Sequence, residues 1–320
     1  MSAENKAYRA NYPVDLHSHS TRSDGSDTPQ ELIDHAAGVG VKILALTDHD
    51  IRPPKTITLD TGEEVDAVEY AKSKGLTLIR GIEVSCETTA EDCHIVCLGC
   101  DWEDPFFDRL ERSVVESKTR SYRELVRRLC ENGMELTWDE VLENNGNPIT
   151  EDHVQKKMIF ELLARKGYTK DWAEAKLMVK NTPEYQILRE KPDPVEVIRE
   201  VKRTGGIAIM AHPYLVNEPV RIPAGTMTRA EYIDRLIEAG LDGIEASYTY
   251  GKTSYGGTMT AEEIEAEVRE RYTTRLAVIS GGSDYHADAK KGVKHPREIG
   301  ECGITEEYFR GNAVLCTLLP

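Results

Sequence analysis

The sequence has no long hydrophobic run, which excludes one large class of protein. Across its 320 residues there is no stretch of about 18 apolar residues, the length that a membrane-spanning helix needs. Residues 1–12 also contain neither the apolar segment nor the small-residue cleavage site of a secretory signal. We therefore expect a cytoplasmic protein that has no membrane partner.

Basic residues and cysteine are also in short supply. Lysine and arginine number 40 against 56 aspartates and glutamates, so the formal net charge is −16. A long nucleic-acid duplex requires a basic stripe on its partner, so such a ligand is disfavoured, whereas a small phosphorylated compound is not. Seven cysteines, an odd number in a chain of this length, favour reduced thiols over a disulfide framework.

The chain does contain a repeated unit, in which a short buried strand ends in a polar residue and is followed by a capped helix. This unit recurs over residues 13–103 and again over 192–320. Over residues 104–191 the apolar positions instead repeat about every 3.6 residues, which predicts a helical insertion. Residues 51–65, with two prolines and several threonines, are predicted to form an excursion loop.

Parallel strands joined by helices build either a barrel or a doubly wound open sheet. We favour a TIM-like barrel, because residues of the metal-ligand type follow most of the predicted strands. In an open sheet those residues would lie too far apart to meet, whereas in a barrel the strand ends form one ring. The predicted fold class is therefore α/β, with an all-helical insertion.

Histidines and carboxylates are concentrated at the predicted strand ends. Six of the nine histidines lie there: His17, His19, His49, His94, His212 and His286. Three carboxylates occupy equivalent places: Asp24, Glu83 and Asp284. Imidazole and carboxylate ligands suit manganese, iron or zinc, and nine ligands are about the number that three such ions need. Clustered ions generate hydroxide at neutral pH and hold phosphoryl oxygens, so the set predicts hydrolysis.

Two other features have plainer interpretations. Cys93 and Cys97 flank His94, but strand alternation places both on the face opposite that histidine, so we predict buried packing rather than a zinc site. His35 lies beside Asp34 on a predicted helix, away from its apolar stripe, and is predicted to be a solvated surface residue.

Taken together, the motifs resemble the polymerase and histidinol phosphatase (PHP) family of metal-dependent phosphoesterases, in the branch that hydrolyses nucleotide phosphates. The matching segments lie in order along nearly the whole chain: residues 15–20, 23–25, 46–50 and 81–83, then His94 with 98–99, 211–213 and 282–286. This resemblance implies a distorted (β/α)7 barrel with a trinuclear centre at the strand ends. It also implies that the helical insertion, residues 104–191, covers the active site.

The resemblance also implies which residues hold each ion. The first ion would take His17, His19, Glu83 and Asp284; the second would share Glu83 and add His94 and His212; the third would take Asp24, His49 and His286. Glu83, His212 and His286 are the expected catalytic residues. Asp15 is expected to accept a hydrogen bond behind the metal ligands.

One part of the family pattern is missing. Relatives often carry an Arg-x-His pair at the start of an insertion helix, where the arginine binds the substrate phosphate, but here the matching positions are residues 151–153, Glu-Asp-His. We expect another cation to replace that arginine: Arg22, Lys156, Lys157 or Lys252. His153 is either a phosphate contact or a solvated helix residue.

The leading hypothesis is hydrolysis of a small phosphomonoester, either AMP or a 3′,5′-nucleoside bisphosphate, by attack of a metal-bridging hydroxide. Three alternatives stay open: a histidinol phosphate phosphatase, an exonuclease acting on short oligonucleotides, and a non-catalytic metal-binding barrel. The sequence leaves the metal, the leaving group and the oligomeric state undetermined.

Overall fold

The computed structural model describes residues 8–87, 89–90 and 92–319. The chain divides into two compact units, one formed by Met1–Asp108 with Pro192–Pro320 and the other by Arg109–Lys191. Among the described residues, no helix combines the length and the apolar character needed to cross a membrane.

The first unit is built on a seven-stranded sheet, accompanied by two short hairpins. The strands are β1 Val14–Asp15, β2 Ile43–Leu46, β3 Thr56–Thr58, β4 Glu64–Asp66, β5 Thr77–Ser85, β6 His94–Leu98, β7 Ile207–Met210, β8 Val220–Ile222, β9 Gly225–Met227, β10 Gly243–Ser247 and β11 Val278–Gly281. The order in the sheet is β1-β2-β5-β6-β7-β10-β11.

The two edge strands of this sheet come together and nearly close it into a barrel. Just past β1, the amide of Leu16 donates to the carbonyl of Gly281 at 3.3 Å, and the amide of His19 donates to that of Tyr285 at 2.8 Å. Closure brings every strand end onto one ring, which an open sheet would not do. The predicted seven-stranded α/β barrel is confirmed.

The sequence-based expectation of parallel strands throughout is wrong for one strand. β6 runs antiparallel to both β5 and β7, while the other four neighbouring pairs are parallel. In the β5–β6 pair, Ser85 at the end of β5 lies opposite His94 at the start of β6. His94 therefore reaches the same edge of the sheet as Glu83, although it begins its strand rather than ending it.

The predicted loop over residues 51–65 contains an antiparallel hairpin instead, made of β3 and β4. Its middle residue Ile57 is buried between the exposed Thr56 and Thr58, so this short stretch has strand alternation with a single apolar residue. Gly62, with a φ of 83°, turns the chain between the two strands. The prolines and glycine that suggested a loop thus mark the hairpin's entry and turn.

Helices of the first unit follow the strands at the predicted places. The α-helices of both units are α1 Pro29–Val39, α2 Ala67–Ser73, α3 Pro105–Glu131, α4 Trp138–Glu143, α5 Lys156–Arg165, α6 Trp172–Asn181, α7 Pro194–Arg203, α8 Arg229–Glu238, α9 Ala261–Tyr272 and α10 Glu306–Gly311. Complete capping boxes begin α1, α4, α8 and α9, because a threonine side chain accepts from the amide of a glutamate three residues on. These signals made the helix starts predictable.

Alternation along the strands separates two apolar layers in the first unit. Side chains on one face of a strand point into the barrel interior, and side chains on its opposite face pack against helices α1 and α2. On β2, for example, Ile43 and Ala45 belong to the interior, whereas Leu44 and Leu46 belong to the outer layer. Each fully buried leucine or isoleucine stabilises the fold by roughly 2 kcal/mol.

The second unit has an apolar core of its own, to which α3, α4, α5 and α6 all contribute. Leu125 and Leu129 of α3 pack in it with Ile159 and Leu163 of α5. Their spacing of four residues places each pair on one helix face, which is the pattern that predicted helices here. Over the described residues of this unit there is no strand.

Candidate metal centre

The predicted ligands come together at one edge of the barrel. His17 and His19 follow β1, His49 follows β2, Glu83 lies near the end of β5 and His94 begins β6. The remaining ligands come from the other half of the sheet: His212 after β7, and Asp284 and His286 after β11. Each strand fixes the backbone immediately before or after its ligand, so the site is built on rigid elements.

Asp24 reaches the centre from a tight turn. The carbonyl of Ser20 accepts from the amide of Gly25 at 3.0 Å, which folds the turn back on itself. A Cβ at Gly25 would lie 2.5 Å from the carbonyl oxygen of His19, so this close approach requires glycine. The buried Asp48 holds the turn by accepting from the Ser20 amide and hydroxyl at 2.8 and 2.7 Å.

Glu83 is the centre of the arrangement and is completely buried. Five imidazole nitrogens surround its two oxygens: Nε2 of His17 at 3.0 Å, Nε2 of His19 at 3.1 Å and Nδ1 of His49 at 3.1 Å from Oε2, with Nδ1 of His94 at 2.9 Å and Nε2 of His212 at 3.0 Å from Oε1. One carboxylate can therefore serve several neighbouring ions at once.

Several of these buried polar atoms meet no hydrogen-bond partner in acceptable geometry. They are Nε2 of His17, both ring nitrogens of His19, Nδ1 of His49, Oε2 of Glu83 and Nδ1 of His212. An unsatisfied buried polar group costs about 1–3 kcal/mol, so such a concentration requires an explanation. Zinc bonds of roughly 2.0–2.2 Å would place adjacent ligand atoms about 3 Å apart, which matches the separations around Glu83. The residues fit divalent metal ions.

The ligand atoms fall into three groups, each able to hold an ion. They are His17, His19, Glu83 and Asp284; then His19, Asp24, His49 and His286; then His49, Glu83 and His94. The first group has the four residues that the sequence suggested for one ion, while the other two draw in His19 or His49 as well. His212 is in none of these three groups, but its Nε2 lies 3.0 Å from Oε1 of Glu83. All nine predicted ligands are thus neighbours, and their division among ions stays a prediction.

The charge states of the ligands differ across the site. Burial would lower the pKa of His17, His19 and His212, but Glu83 and the neighbouring carboxylates raise each of them, that of His19 to about 9, so protons compete with metal ions for these imidazoles. Burial alone would raise the pKa of Glu83 and of Asp284, but neighbouring imidazoles, with His17 acting on both, hold each pKa well below its usual range. For His49 burial dominates and lowers the pKa to about 4. Ionised carboxylates and neutral imidazole are the forms that bind a metal.

Sequence reasoning missed Glu245, which supports the ligands from behind. Its Oε1 lies 3.0 Å from Nδ1 of His17, and its Oε2 accepts from the backbone amide of His212 at 2.7 Å. The only signal was a glutamate in an otherwise apolar strand, β10. Asp15 has the expected supporting role, since it accepts from the backbone amide of the ligand His17 at 3.2 Å and from those of Ser283 and Gly300 at 3.0 and 2.7 Å.

The prediction that His35 is a solvated surface residue is wrong. Its Nδ1 lies 2.8 Å from the hydroxyl of Tyr285, which donates to Oδ2 of Asp27 at 2.8 Å. Tyr285 is the residue between the ligands Asp284 and His286. Helix α1 therefore carries a side chain that anchors the last ligand loop, a contact that helical periodicity cannot reveal.

A cavity of about 290 Å³ opens beside the ligands. Three cations line it: Lys252, Lys291 and Arg297. The Nζ of Lys252 pairs with Glu301 at 2.6 Å, and that of Lys291 donates to the carbonyl of Asp24 at 2.6 Å. Lys252 was a predicted phosphate ligand, whereas Lys291 and Arg297 were not foreseen, because no motif includes them.

The other predicted phosphate ligands are Arg22, in the barrel unit, and His153 and Lys156, whose role stays a prediction. Arg22 is exposed, donates to the carbonyl of Arg52 at 3.1 Å and is not among the described residues that line this cavity. His153 and Lys156 belong to the helical unit. His153 is exposed, with its Nδ1 2.9 Å from the hydroxyl of Thr150, and Lys156 begins α5.

The cysteines take no part in the ligand groups. Cys93 and Cys97 are completely buried, as predicted, and the Sγ of Cys93 lies 3.1 Å from the hydroxyl of Tyr232. All seven cysteines of the chain fall within the described residues and are free thiols.

Comparison with known proteins agrees with this geometry. Residues 15–188, more than half of the chain, match the PHP domain family. The chain belongs to that family, and the resemblance drawn from its motifs is confirmed.

Three curated relatives have phosphoester chemistry in common. A phosphoribosyl 1,2-cyclic phosphate 1,2-diphosphodiesterase of Eggerthella lenta is 29% identical over 85% of this chain and 93% of its own. A 3′,5′-nucleoside bisphosphate phosphatase of Chromobacterium violaceum is 28% identical over 90% of both chains. A 5′-3′ exoribonuclease of Haemophilus influenzae is 28% identical over 85% of this chain and 89% of its own.

Among solved structures, one from Bifidobacterium adolescentis assigned to the metal-dependent phosphoesterases superposes with a TM-score of 0.65. It is 25% identical and covers 96% of this chain and 97% of its own. Family, relatives and fold agree on one class. The chain is a metal-dependent hydrolase that acts on phosphoester bonds.

Proposed function

We propose that this protein removes phosphate from a small nucleotide, either AMP or a 3′,5′-nucleoside bisphosphate. The observation that carries the proposal is the placement of nine convergent ligands beside a cavity lined by Lys252, Lys291 and Arg297. Cations and metal ligands around one small cavity suit a compact substrate of high negative charge. The similarity to the bisphosphate phosphatase over 90% of both chains supports this substrate class.

The nine ligands are proposed to hold three divalent ions, which would be manganese, iron or zinc. Ions bound there would lower the pKa of water and neutralise phosphate charge. Glu83, buried among five imidazoles, is the carboxylate that two of the groups share. Its ionised state keeps the centre from becoming excessively positive, because it supplies negative charge to more than one ion.

The chain's own residues would bind and orient the ester. Lys291 is the proposed phosphate ligand, because its Nζ lies 4.0 Å from the carboxylate of Asp288, whereas that of Lys252 lies 2.6 Å from Glu301. Arg297 pairs with Asp284 and Asp288 and holds that loop in place. His212 and His286 line the cavity, and their proposed catalytic role is to hold the ions beside the ester, while groups neighbouring them would supply a proton to the leaving oxygen.

A phosphate-release screen tests the assignment. Manganese-loaded protein would be offered AMP, a 3′,5′-nucleoside bisphosphate, a ribose 1,2-cyclic phosphate, histidinol phosphate and a short oligonucleotide. We expect release from one of the first two at least about tenfold faster than from the others. Glu83→Ala and His19→Ala should lose nearly all activity, and full activity in both variants would refute the proposed centre.

A second candidate is stepwise cleavage of a short oligonucleotide from its 5′ end. The observation that favours it is the similarity to the exoribonuclease of Haemophilus influenzae over 85% of this chain. In the same screen this activity would yield mononucleotides from the oligonucleotide instead of inorganic phosphate from AMP. The cytoplasm is the proposed site of action, which the seven free cysteines support.

A further inference from the structure

A second cavity of about 450 Å³ lies in the barrel unit at the edge opposite the metal centre. Its lining includes Leu76, immediately before β5, and Ile207, the first residue of β7. The metal ligands of the same strands lie at the other end, Glu83 near the end of β5 and His212 just after β7. The two cavities are therefore separate, and binding in one does not block the other.

The lining of this cavity is apolar and positively charged. Leu76, Ile207 and Trp102 are almost completely buried and supply apolar surface. Two cations, Lys72 of α2 and Arg80 of β5, also line it, and none of the lining residues that the structure describes is acidic. Lys72 is exposed and its Nζ lies 3.5 Å from Oε1 of Glu69, a residue outside the lining. Arg80 is the cavity cation whose described contacts include no carboxylate, which departs from the general surface of a chain with a net charge of −16.

The guanidinium of Arg80 is only partly satisfied. One Nη donates to the carbonyl of Pro53 at 3.0 Å, while Nε is buried and has no hydrogen-bond partner. Burial lowers the pKa of Arg80, and Glu103 and Asp66 offset this only by longer-range attraction, without forming an ion pair. A half-buried guanidinium whose Nε has no acceptor is stabilised by an anion that accepts from it.

We propose that this cavity binds a small amphipathic anion, a molecule with an apolar body and a carboxylate, whose charged end pairs with Arg80 and Lys72. The volume falls within the roughly 300–1,000 Å³ of small-molecule sites, and the lining has their usual composition of apolar surface with a few polar groups. The apolar surface would exclude water from the carboxylate contact and so strengthen it.

Decanoate is the probe, titrated by calorimetry into the full-length, metal-loaded protein. We expect saturable binding that decanol, which has the same chain without the charge, and acetate, which has the charge without the chain, do not reproduce. Arg80→Gln should weaken decanoate binding at least about tenfold, because a charge-assisted contact is lost. Val68→Trp, on α2 at the cavity wall, should abolish binding by filling the space while leaving both cations in place.

Lys55→Gln is the matched control, because Lys55 is an exposed cation near α2 that does not line the cavity. It should bind decanoate like the parent protein. The proposal is overturned if the parent protein binds no decanoate at millimolar concentration, or if Val68→Trp binds it unchanged. If Arg80→Gln fails to fold, Val68→Trp still tests whether decanoate binds in this cavity. Comparison with decanol still tests whether the carboxylate of decanoate is required.

Discussion

Nδ1 of His17 lies 3.0 Å from Oε1 of Glu245, although the two residues are 228 positions apart in the sequence. This contact fixes which ring nitrogen of His17 carries a proton, and so turns Nε2 toward Glu83. The other oxygen of Glu245 accepts from the amide of His212, whose φ of 26° is unusual for a residue with a side chain. One buried carboxylate thus positions two ligands from opposite halves of the chain.

Replacing Glu245 by alanine should weaken metal binding about 10–100-fold, because His17 loses its orienting acceptor and the His212 backbone loses its partner. Competition with a chelator of known affinity measures this directly. Glu238→Ala, an exposed glutamate on α8, is the control and should bind metal like the parent protein. Unchanged affinity in a folded Glu245→Ala protein would show that the contact is incidental.

Metal stoichiometry should report how the ligands are divided. Asp24 belongs to one of the three ligand groups and Glu83 to two. If the parent protein holds three ions per chain, Asp24→Asn should hold two and Glu83→Gln no more than one. Elemental analysis after gel filtration gives the counts, with Asp60→Asn as an exposed control that should hold three. Equal losses in the Asp24 and Glu83 variants would contradict the grouping.

Gly282→Ala should destabilise the protein by about 2 kcal/mol and lower its metal content. A Cβ at this position would lie 2.3 Å from the Cβ of His17, so either the first ligand or the last ligand loop must move. Gly38→Ala, in the last turn of α1 with no atom within 4 Å of the new Cβ, should instead stabilise the protein by roughly 0.5 kcal/mol. Urea unfolding of both variants measures the two opposite effects.

Asp27→Asn should reveal an acid-dependent part of the stability. Burial opposes ionisation of Asp27, but His35, Lys290 and Tyr285 together lower its pKa to about 2 from an ordinary value near 3.8. A lowered pKa in the folded state contributes stability above about pH 4 and loses it as the pH falls toward 2. The variant should therefore be about 2 kcal/mol less stable at pH 7, and the difference should shrink by pH 3.

Urea unfolding of the parent protein and of Asp27→Asn at both pH values provides the measurement. Asp60→Asn, an exposed aspartate, serves as the control. A stability difference that does not change with pH would mean that Asn disrupts packing rather than removing a favourable charge.

Lys291→Met should raise the KM for the preferred phosphate ester about tenfold and change kcat little, because a contact that binds the phosphate before and during reaction acts mainly on KM. Steady-state kinetics with the ester identified in the screen measures both constants. Lys290→Met is the matched control, since Lys290 pairs with Asp27 and Glu31 and lies outside the described lining of the cavity. A fall in kcat alone would remove Lys291 from phosphate binding.

The sequence predicted those parts of the molecule that local patterns control. A capping box such as Thr28 with Glu31 spans only four residues and identifies a helix start. The metal ligands were predicted because they lie next to the ends of predicted strands. The direction of β6 was not predictable, because alternation of side chains is the same whichever way a strand runs. His94 was nevertheless found, since a ligand that begins a reversed strand looks like one at any other strand end.

The supporting residues were missed for a different reason. Glu245 and His35 act through contacts made between distant parts of the chain, and no local pattern identifies the partner of either residue. Lys291 and Arg297 lie in the irregular segment after the last ligand, where no periodicity exists to interpret. Such positions become visible only once the barrel has brought their partners together.

The position of Glu83 among five imidazoles from four separate segments has a consequence for the unfolded chain. Ions shared by Glu83 and its neighbours would link residues as distant in sequence as His17 and Asp284. These links would lower the conformational entropy of the unfolded chain, as covalent cross-links do. A protein whose cysteines are all free would thereby gain a reversible counterpart of disulfide bonds. Metal supply would then govern how long each molecule survives as well as how fast it works.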